Sequence, residues 1–270
     1  DLSKNEDNLK ALRGHVTLVA GGPPCQGFSM AGKRNANDQR NKLVESYIQF
    51  IKLVAPQVII FENVHGFTVN FKDKKGAKQY SMYVEQALTE EGYQVAHSII
   101  DMSHFGIPQN RKRFILVAMK GHDPKRVFAV LAESREAFCK EKGIMCTTSV
   151  RDAISDLEKS CGTVPSPDTK GFNAGIYGTI QSGYQKLMRQ KLSTDTRTVN
   201  SHRFVNHRTD TVKLHENLLR TAPRGKRITP TDGIVDNLNR RGVTVLDPNS
   251  QSPTITSIPD ELVHYCEPRI

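Results

Sequence analysis

One stretch near the N-terminus restricts the possible folds of this chain more than any other. Residues 16–29 read VTLVAGGPPCQGFS, an apolar run followed by two glycines, two prolines and a cysteine. A short apolar run bounded by glycines is typical of a buried strand in a parallel sheet. Pro23 and Pro24 fix φ and prevent the chain from continuing in the sheet. We therefore expect a strand over 16–20 that presents Cys25 beyond its carboxyl end, where open α/β sheets bind ligands.

The following residues alternate between strand and helix patterns. Apolar residues recur at helical spacing from Val44 to Val54, and Pro56 marks the end of that helix. Short apolar segments predict strands over 58–61, 95–100 and 114–118, and a second helix ends at Gly92. This order predicts an α/β fold with a mostly parallel sheet and helices on both faces.

Polar residues follow two of the predicted strands. Glu62 comes directly after the second strand, and the basic turn GIPQNRKR lies between the third strand and the fourth. Because the carboxyl ends of parallel strands meet at one edge of the sheet, we expect Cys25, Glu62 and the arginines near 111 to converge on one cleft.

The sequence changes character beyond residue 150. Residues 162–183 contain five glycines and few apolar residues, without a helical or strand period. This pattern predicts one domain over 1–150, a smaller irregular domain over 151–250, and a segment over 251–270 that returns to the first.

Charge and cysteine content limit the class of protein. The net charge of +10 favours a polyanionic partner. Residues 186–227 hold eleven Lys and Arg against three Asp and Glu, a balance that a solvated basic face would explain equally well. The five cysteines form no CxxC pair and the histidines show no metal-ligand spacing, which predicts a reducing cytoplasm and no metal site. No apolar run approaches the roughly 18 residues of a membrane span.

A lone cysteine is most often a small buried hydrophobe. Cys25 differs because it lies on a loop next to polar Gln26 and flexible Gly27, which suits attack on a substrate better than core packing. A cysteine, a carboxylate and arginines at one sheet edge of a basic protein suggest covalent catalysis on a nucleic acid.

Five motifs in order resemble those of the cytosine-C5 DNA methyltransferases, including the bacterial restriction-modification enzymes. They are PPCQGFS at 23–29, ENV at 62–64, QNRKR at 109–113, SPTIT at 252–256 and VHYCEPRI at 263–270. The resemblance implies a Rossmann-like methyltransferase core over 1–150 and a target-recognition domain over 151–250.

The resemblance also implies the roles of individual residues. The Cys25 thiolate would add to C6 of a cytosine flipped out of the duplex, so that C5 can accept the methyl group of S-adenosylmethionine. Glu62 would contact the cytosine N3 and amino group, Arg113 the base O2, and Arg111 would hold the glutamate and its loop in position. The expected contacts to DNA come from Gln26, Ser29, Lys33, Arg34 and Arg40.

The expected cofactor contacts are incomplete. Asp1, Pro24 and Leu43 match family positions, whereas the family's glycine-rich cofactor motif and its last Asn-containing motif have no match. The 16–20 strand would then be an exposed apolar edge. We therefore expect an internal part of a longer methyltransferase, or one chain of a split enzyme whose complementary chain supplies the remaining motifs.

Two alternatives stay open at this point. A transfer-RNA cytosine methyltransferase shares the Pro-Cys and ENV motifs, although the long basic region favours DNA. A non-catalytic DNA-binding relative is the other alternative, and the presence of Cys25, Glu62 and Arg113 argues against it.

Overall fold

A computed structural model describes residues 5–24, 42–69, 80–193, 196–235, 238, 242–256 and 261–270. The backbone forms two compact units, one comprising 1–101 and 112–134 and the other comprising 102–111 and 135–270. The helices are α1 (Glu6–Ala11), α2 (Lys42–Val54), α3 (Tyr80–Glu90), α4 (Lys125–Glu141), α5 (Val150–Ile154), α6 (Gly183–Arg189) and α7 (Thr209–Thr221). The boundary near residue 150 and the roles assigned to either side of it remain predictions.

The first unit contains a four-stranded sheet. Its strands are β1 (Leu18–Gly21), β2 (Val58–Val64), β3 (Gln94–Asp101) and β4 (Lys112–Met119), in the spatial order β1-β2-β4-β3. β1 and β2 are parallel, and β4 is antiparallel to both β2 and β3. The predicted α/β class is confirmed, and three of the four strands run in the same direction.

β4 departs from the parallel pattern for a topological reason. A parallel neighbour requires a crossover of a dozen or more residues, which usually forms a helix. Between β3 and β4 the chain has only residues 102–111, which contain a single 3₁₀ turn. The chain therefore reverses direction, and β4 inserts between β2 and β3.

Helices α2 and α3 cover one face of this sheet. Val44, Ile48 and Ile51 of α2 are buried against Phe61 and its neighbours, which confirms the helix predicted over 44–54. On the same face, α3 contributes Val84, Ala87 and Leu88 to the core cluster. Gly92 ends α3 with φ +82°, a left-handed conformation that favours glycine, as predicted.

The second unit holds two small sheets of three strands each. One contains β5 (Thr163–Pro165), β6 (Asn173–Ile176) and β7 (Thr198–Arg203), and the other contains β8 (Arg227–Ile228), β9 (Val243–Val245) and β10 (Leu262–Val263). The second sheet packs on α7 through Leu218. Among the described helices, none is both long and apolar enough to cross a membrane.

Candidate active site

Glu62 and Arg113 form an ion pair at one edge of the first unit's sheet. The Arg113 Nε lies 2.9 Å from Glu62 Oε1. The register pairs Val64 with Arg113 and Glu62 with Ile115, so the two charged side chains are diagonal neighbours on the same face. Because β4 is antiparallel to β2, the beginning of β4 lies beside the end of β2, and this brings the arginine to the glutamate.

The ion pair leaves the carboxylate accessible. The Arg113 side chain is only 12% exposed, and its Nη1 also donates to the Lys112 carbonyl at 2.8 Å. The Glu62 side chain is 45% exposed. The guanidinium is therefore fixed by the fold, whereas the glutamate can still contact a ligand that arrives at this edge.

Gly21 and Gly22 make room for side chains on opposite faces of the sheet. A Cβ added at Gly22 would lie 2.8 Å from Glu62 Oε2, so this carboxylate oxygen packs directly on the glycine. A Cβ added at Gly21 would lie 2.6 Å from Cε2 of Tyr47 in α2. The sequence predicts only that the two glycines end a strand, and the space that they leave for Glu62 and Tyr47 follows from the packing.

Asn63 connects the end of β2 to the segment that leads into Cys25. Its side chain is 2% exposed, and its Nδ2 donates to the Pro23 carbonyl at 3.4 Å. Its Oδ1 accepts from the Val64 N–H at 2.8 Å. The buried amide therefore holds the Pro23–Pro24 segment against the strand that carries Glu62, a contact between residues 40 positions apart in sequence.

The described part of the chain also joins two of the sequence motifs in the second unit. Asn110 of QNRKR receives a hydrogen bond at its carbonyl from Thr254 Oγ1 at 2.6 Å, and donates its N–H to the Ser252 carbonyl at 2.8 Å. SPTIT thus packs on the segment that ends in Arg111. The Arg111 side chain is half-buried, and its carbonyl accepts from the Met102 N–H at 3.0 Å.

The basic region of the second unit presents most of its cations to solvent. Arg189 is half-buried and pairs with Asp156. The other ten cations are exposed: Lys186, Lys191, Arg197, Arg203, Arg208, Lys213, Arg220, Arg224, Lys226 and Arg227. This distribution is a surface of positive charge rather than a set of buried structural ion pairs.

The remaining predicted site residues fall into two groups. Cys25, Asp1 and the five predicted DNA contacts lie outside the described residues. Pro24 and Leu43 are described, and both are exposed, Leu43 to 43% in the first turn of α2. No described group of three or more His, Cys, Asp and Glu side chains is arranged to hold a metal ion.

Comparison with solved structures supports the same fold. A protein described as a DNA modification methyltransferase encoded within a prophage of E. coli matches 97% of this chain and 70% of its own, with a TM-score of 0.55 and 18% sequence identity. This likeness concerns the Rossmann-like fold of methyltransferases.

Curated relatives are similar to this chain in amino-acid sequence. The type II methyltransferase M.DdeI of Desulfomicrobium norvegicum is 33% identical over 56% of this chain and 34% of its own length. The type II methyltransferase M.AgeI of Thalassovita gelatinovora is 36% identical over 70% of this chain and 45% of its own length. The chain thus matches less than half of the length of these relatives.

The family model described as C-5 cytosine-specific DNA methylase matches residues 1–252. That range contains the Glu62–Arg113 pair, the Asn63–Pro23 contact and the whole basic surface. The chain therefore belongs to the C-5 cytosine-specific DNA methylase family.

Proposed function

We propose that this chain carries the catalytic site of a DNA (cytosine-5-)-methyltransferase, which transfers a methyl group from S-adenosylmethionine to C5 of a flipped cytosine. The observation that carries the proposal is the Glu62–Arg113 pair beside Gly22. Cys25 follows Gly22 by three residues, and Asn63 anchors the segment between them. This arrangement supports a nucleophile, a carboxylate and a cation acting on one base.

The nucleophile in this proposal is the Cys25 thiolate. Its sulfur forms a bond to C6 of cytosine, and the electron pair of the C5–C6 double bond moves to make C5 nucleophilic. When bound, S-adenosylmethionine supplies the electrophilic methyl group. After C5 loses its proton to a base, the bond between Cys25 and C6 breaks and the thiolate is restored.

Glu62 and Arg113 act on the charge that develops during this addition. As the thiolate adds to C6, negative charge accumulates on N3 and O2 of the base. Glu62 holds a proton at N3 and contacts the exocyclic amine, while the Arg113 guanidinium stabilises the charge on O2. The guanidinium is oriented by its bond to the Lys112 carbonyl, so it need not reorganise when the base arrives.

Pro24 and Leu43 would hold the adenine ring of the cofactor, with Asp1 on its amino group. The basic surface from Lys186 to Arg227 would contact phosphates, and the glycine-rich segment before it would read the DNA sequence. The DNA contacts assigned to Gln26, Ser29, Lys33, Arg34 and Arg40 would hold the flipped base in place.

A covalent trap tests the proposal. DNA that contains 5-fluorocytosine cannot lose its C5 substituent as a proton, so the Cys25 adduct should persist when S-adenosylmethionine is present. We expect a denaturation-resistant complex when the parent chain is complemented with the missing cofactor motifs, and none when Cys25→Ala is complemented in the same way. Retarded DNA without an adduct would favour the non-catalytic binder, and an adduct formed only with 5-fluorocytosine RNA would favour the transfer-RNA enzyme.

A further inference from the structure

Two thiols approach each other at the end of α4. Cys139 lies in the last turn of α4, and Cys146 follows seven residues later. The Cys146 Sγ lies 3.9 Å from the carbonyl oxygen of Arg135. Arg135 and Cys139 are four residues apart and therefore lie on the same face of α4, which places the Cys146 thiol beside the face that carries Cys139. The Cys146 thiol is also close enough to contribute to the raised pKa of the Cys139 thiol.

Backbone hydrogen bonds hold the two cysteines in this arrangement. The Ile144 N–H donates to the Cys139 carbonyl at 3.0 Å, and the Gly143 N–H donates to the Lys140 carbonyl at 3.0 Å. The Cys146 carbonyl accepts from the Gly106 N–H at 2.8 Å. Backbone hydrogen bonds therefore fix the turn between the thiols at both of its ends.

The two thiols differ in accessibility. Cys139 is 2% exposed, and burial, with a smaller effect of the Cys146 thiol, raises the pKa of Cys139 to about 11. Cys146 is half-buried, so a small solute can reach it. Because the thiolate is the reactive form, Cys146 should react first and Cys139 should be the second thiol to react.

We propose that Cys139 and Cys146 form a peroxide-sensitive dithiol that closes to an intramolecular disulfide. In the first step hydrogen peroxide oxidises the Cys146 thiol to a sulfenic acid and releases one water. In the second step the Cys139 thiol attacks the sulfenic sulfur, the S–S bond forms, and the hydroxyl leaves as a second water. The thiols lose two electrons in total, and the peroxide accepts them.

The disulfide would connect the end of α4 to the residue that binds the Gly106 N–H. Gly106 has φ +78°, and a Cβ placed there would lie 2.5 Å from Ile144 Cδ1, so this segment already packs closely on the turn. Gly106 belongs to residues 102–111, which end in Arg111. Closure should therefore slow hydrogen exchange at the Gly106 amide.

Peptide mapping tests the proposal directly. Reduced protein is treated with hydrogen peroxide, blocked with iodoacetamide and digested with trypsin without reduction. Cleavage after lysine and arginine places Cys139 on peptide 136–140 and Cys146 on peptide 143–151. We expect these two peptides to become linked, and the link to disappear with dithiothreitol and in Cys146→Ser. Cys161→Ser, which removes another half-buried thiol, should leave the link intact.

Dimedone labelling of the Cys139→Ser variant tests the order of the two steps. In Cys139→Ser the second step is blocked, so dimedone should label Cys146 severalfold more strongly than in the parent chain. Equal labelling, conversion of Cys146 to sulfinic acid beside a free Cys139, or linkage of Cys146 to a different cysteine would overturn the proposal. If Cys139→Ser does not fold, dimedone labelling of Cys146 in the parent chain at short peroxide exposure tests the order, and labelling of Cys139 instead would overturn it.

Discussion

Arg113 and Glu62 meet because β4 runs antiparallel to β2, with the guanidinium Nε 2.9 Å from the carboxylate. In a sheet with β4 parallel, the beginning of that strand would lie at the opposite edge. The contact therefore depends on the chain reversal after β3, and it places a fixed cation beside an accessible carboxylate.

Glu62→Gln should separate catalysis from stability. The glutamate is nearly half exposed, and glutamine can still accept a hydrogen bond from Arg113, so the free energy of unfolding should fall by only about 1 kcal/mol. Methyl transfer to DNA should fall by roughly 10²-fold or more, since a charge-stabilising group is lost. Urea unfolding and a methyl-transfer assay measure the two effects. Glu90→Gln, at an exposed position of α3, should change neither, and a loss of stability that matches the loss of activity would contradict the assignment.

Gly22→Ala and Gly21→Ala should differ in what they damage. The new methyl at position 22 displaces the Glu62 carboxylate, which can move into solvent, so we expect lower activity with a stability loss below about 1 kcal/mol. The methyl at position 21 meets the Tyr47 ring, which packs edge-on against buried Phe61, so unfolding should become easier by about 1–3 kcal/mol. Equal losses of stability in the two variants would argue against separate roles for Gly22 beside Glu62 and Gly21 beside Tyr47.

Asn63→Asp should destabilise the first unit. The change removes the donor to the Pro23 carbonyl and places a carboxylate in a buried position, at an expected cost of about 2 kcal/mol or more. The matched control is Asn206→Asp, because Asn206 donates to the Gly171 carbonyl at the same 3.4 Å but is exposed. Urea denaturation should show a clear shift for position 63 and little for position 206. Similar shifts would mean that burial of the amide is unimportant.

The second unit should lose stability in mild acid because its buried His264 resists protonation. Burial lowers the pKa of His264 from 6.5 to about 4, and its Nδ1 accepts from the Cys266 and Glu267 N–H groups. The unfolded state therefore binds a proton more readily than the native state. The stabilising effect is complete above pH 6.5 and is lost as the pH falls towards 4, by on the order of 1–3 kcal/mol.

Urea unfolding at several values between pH 7 and pH 4.5 measures this effect. His264→Gln should have a shallower dependence of stability on pH over that interval than the parent chain. His122→Gln, at an exposed position, should retain the parent dependence. A slope unchanged by His264→Gln would show that other groups cause the acid sensitivity.

Lys213 and Arg220 should contribute to DNA affinity through phosphates. They lie seven residues apart on one face of α7, and both are exposed. Replacing both with glutamine should reduce the slope of log affinity against log salt by about 2, because each phosphate contact releases a counterion. Fluorescence anisotropy with duplex DNA measures the slope. Lys125→Gln with Arg126→Gln, exposed at the start of α4, should leave it unchanged.

The local elements of the first unit were predictable from sequence. The apolar spacing of Val44, Ile48 and Ile51 predicted α2 because one helix face must be buried, and Gly92 marked the end of α3. α4 was not predicted; among its residues only Cys139 is buried, and its apolar residues Val127, Leu131 and Phe138 are exposed. The direction of β4 was also missed, because it depends on the length of the connection rather than on the strand's own residues.

The sequence by itself determined the α/β class, the strand that ends at Gly21-Gly22 and the residues that suggest methyl transfer to cytosine. Short-range periodicity and backbone restrictions at glycine and proline carry that information. Tertiary structure alone decided that Arg113 meets Glu62, that Asn63 holds Pro23, and that Thr254 binds Asn110. These contacts join residues from 40 to 144 positions apart. They form only when strand order and direction bring distant segments to the same place, which no local pattern specifies.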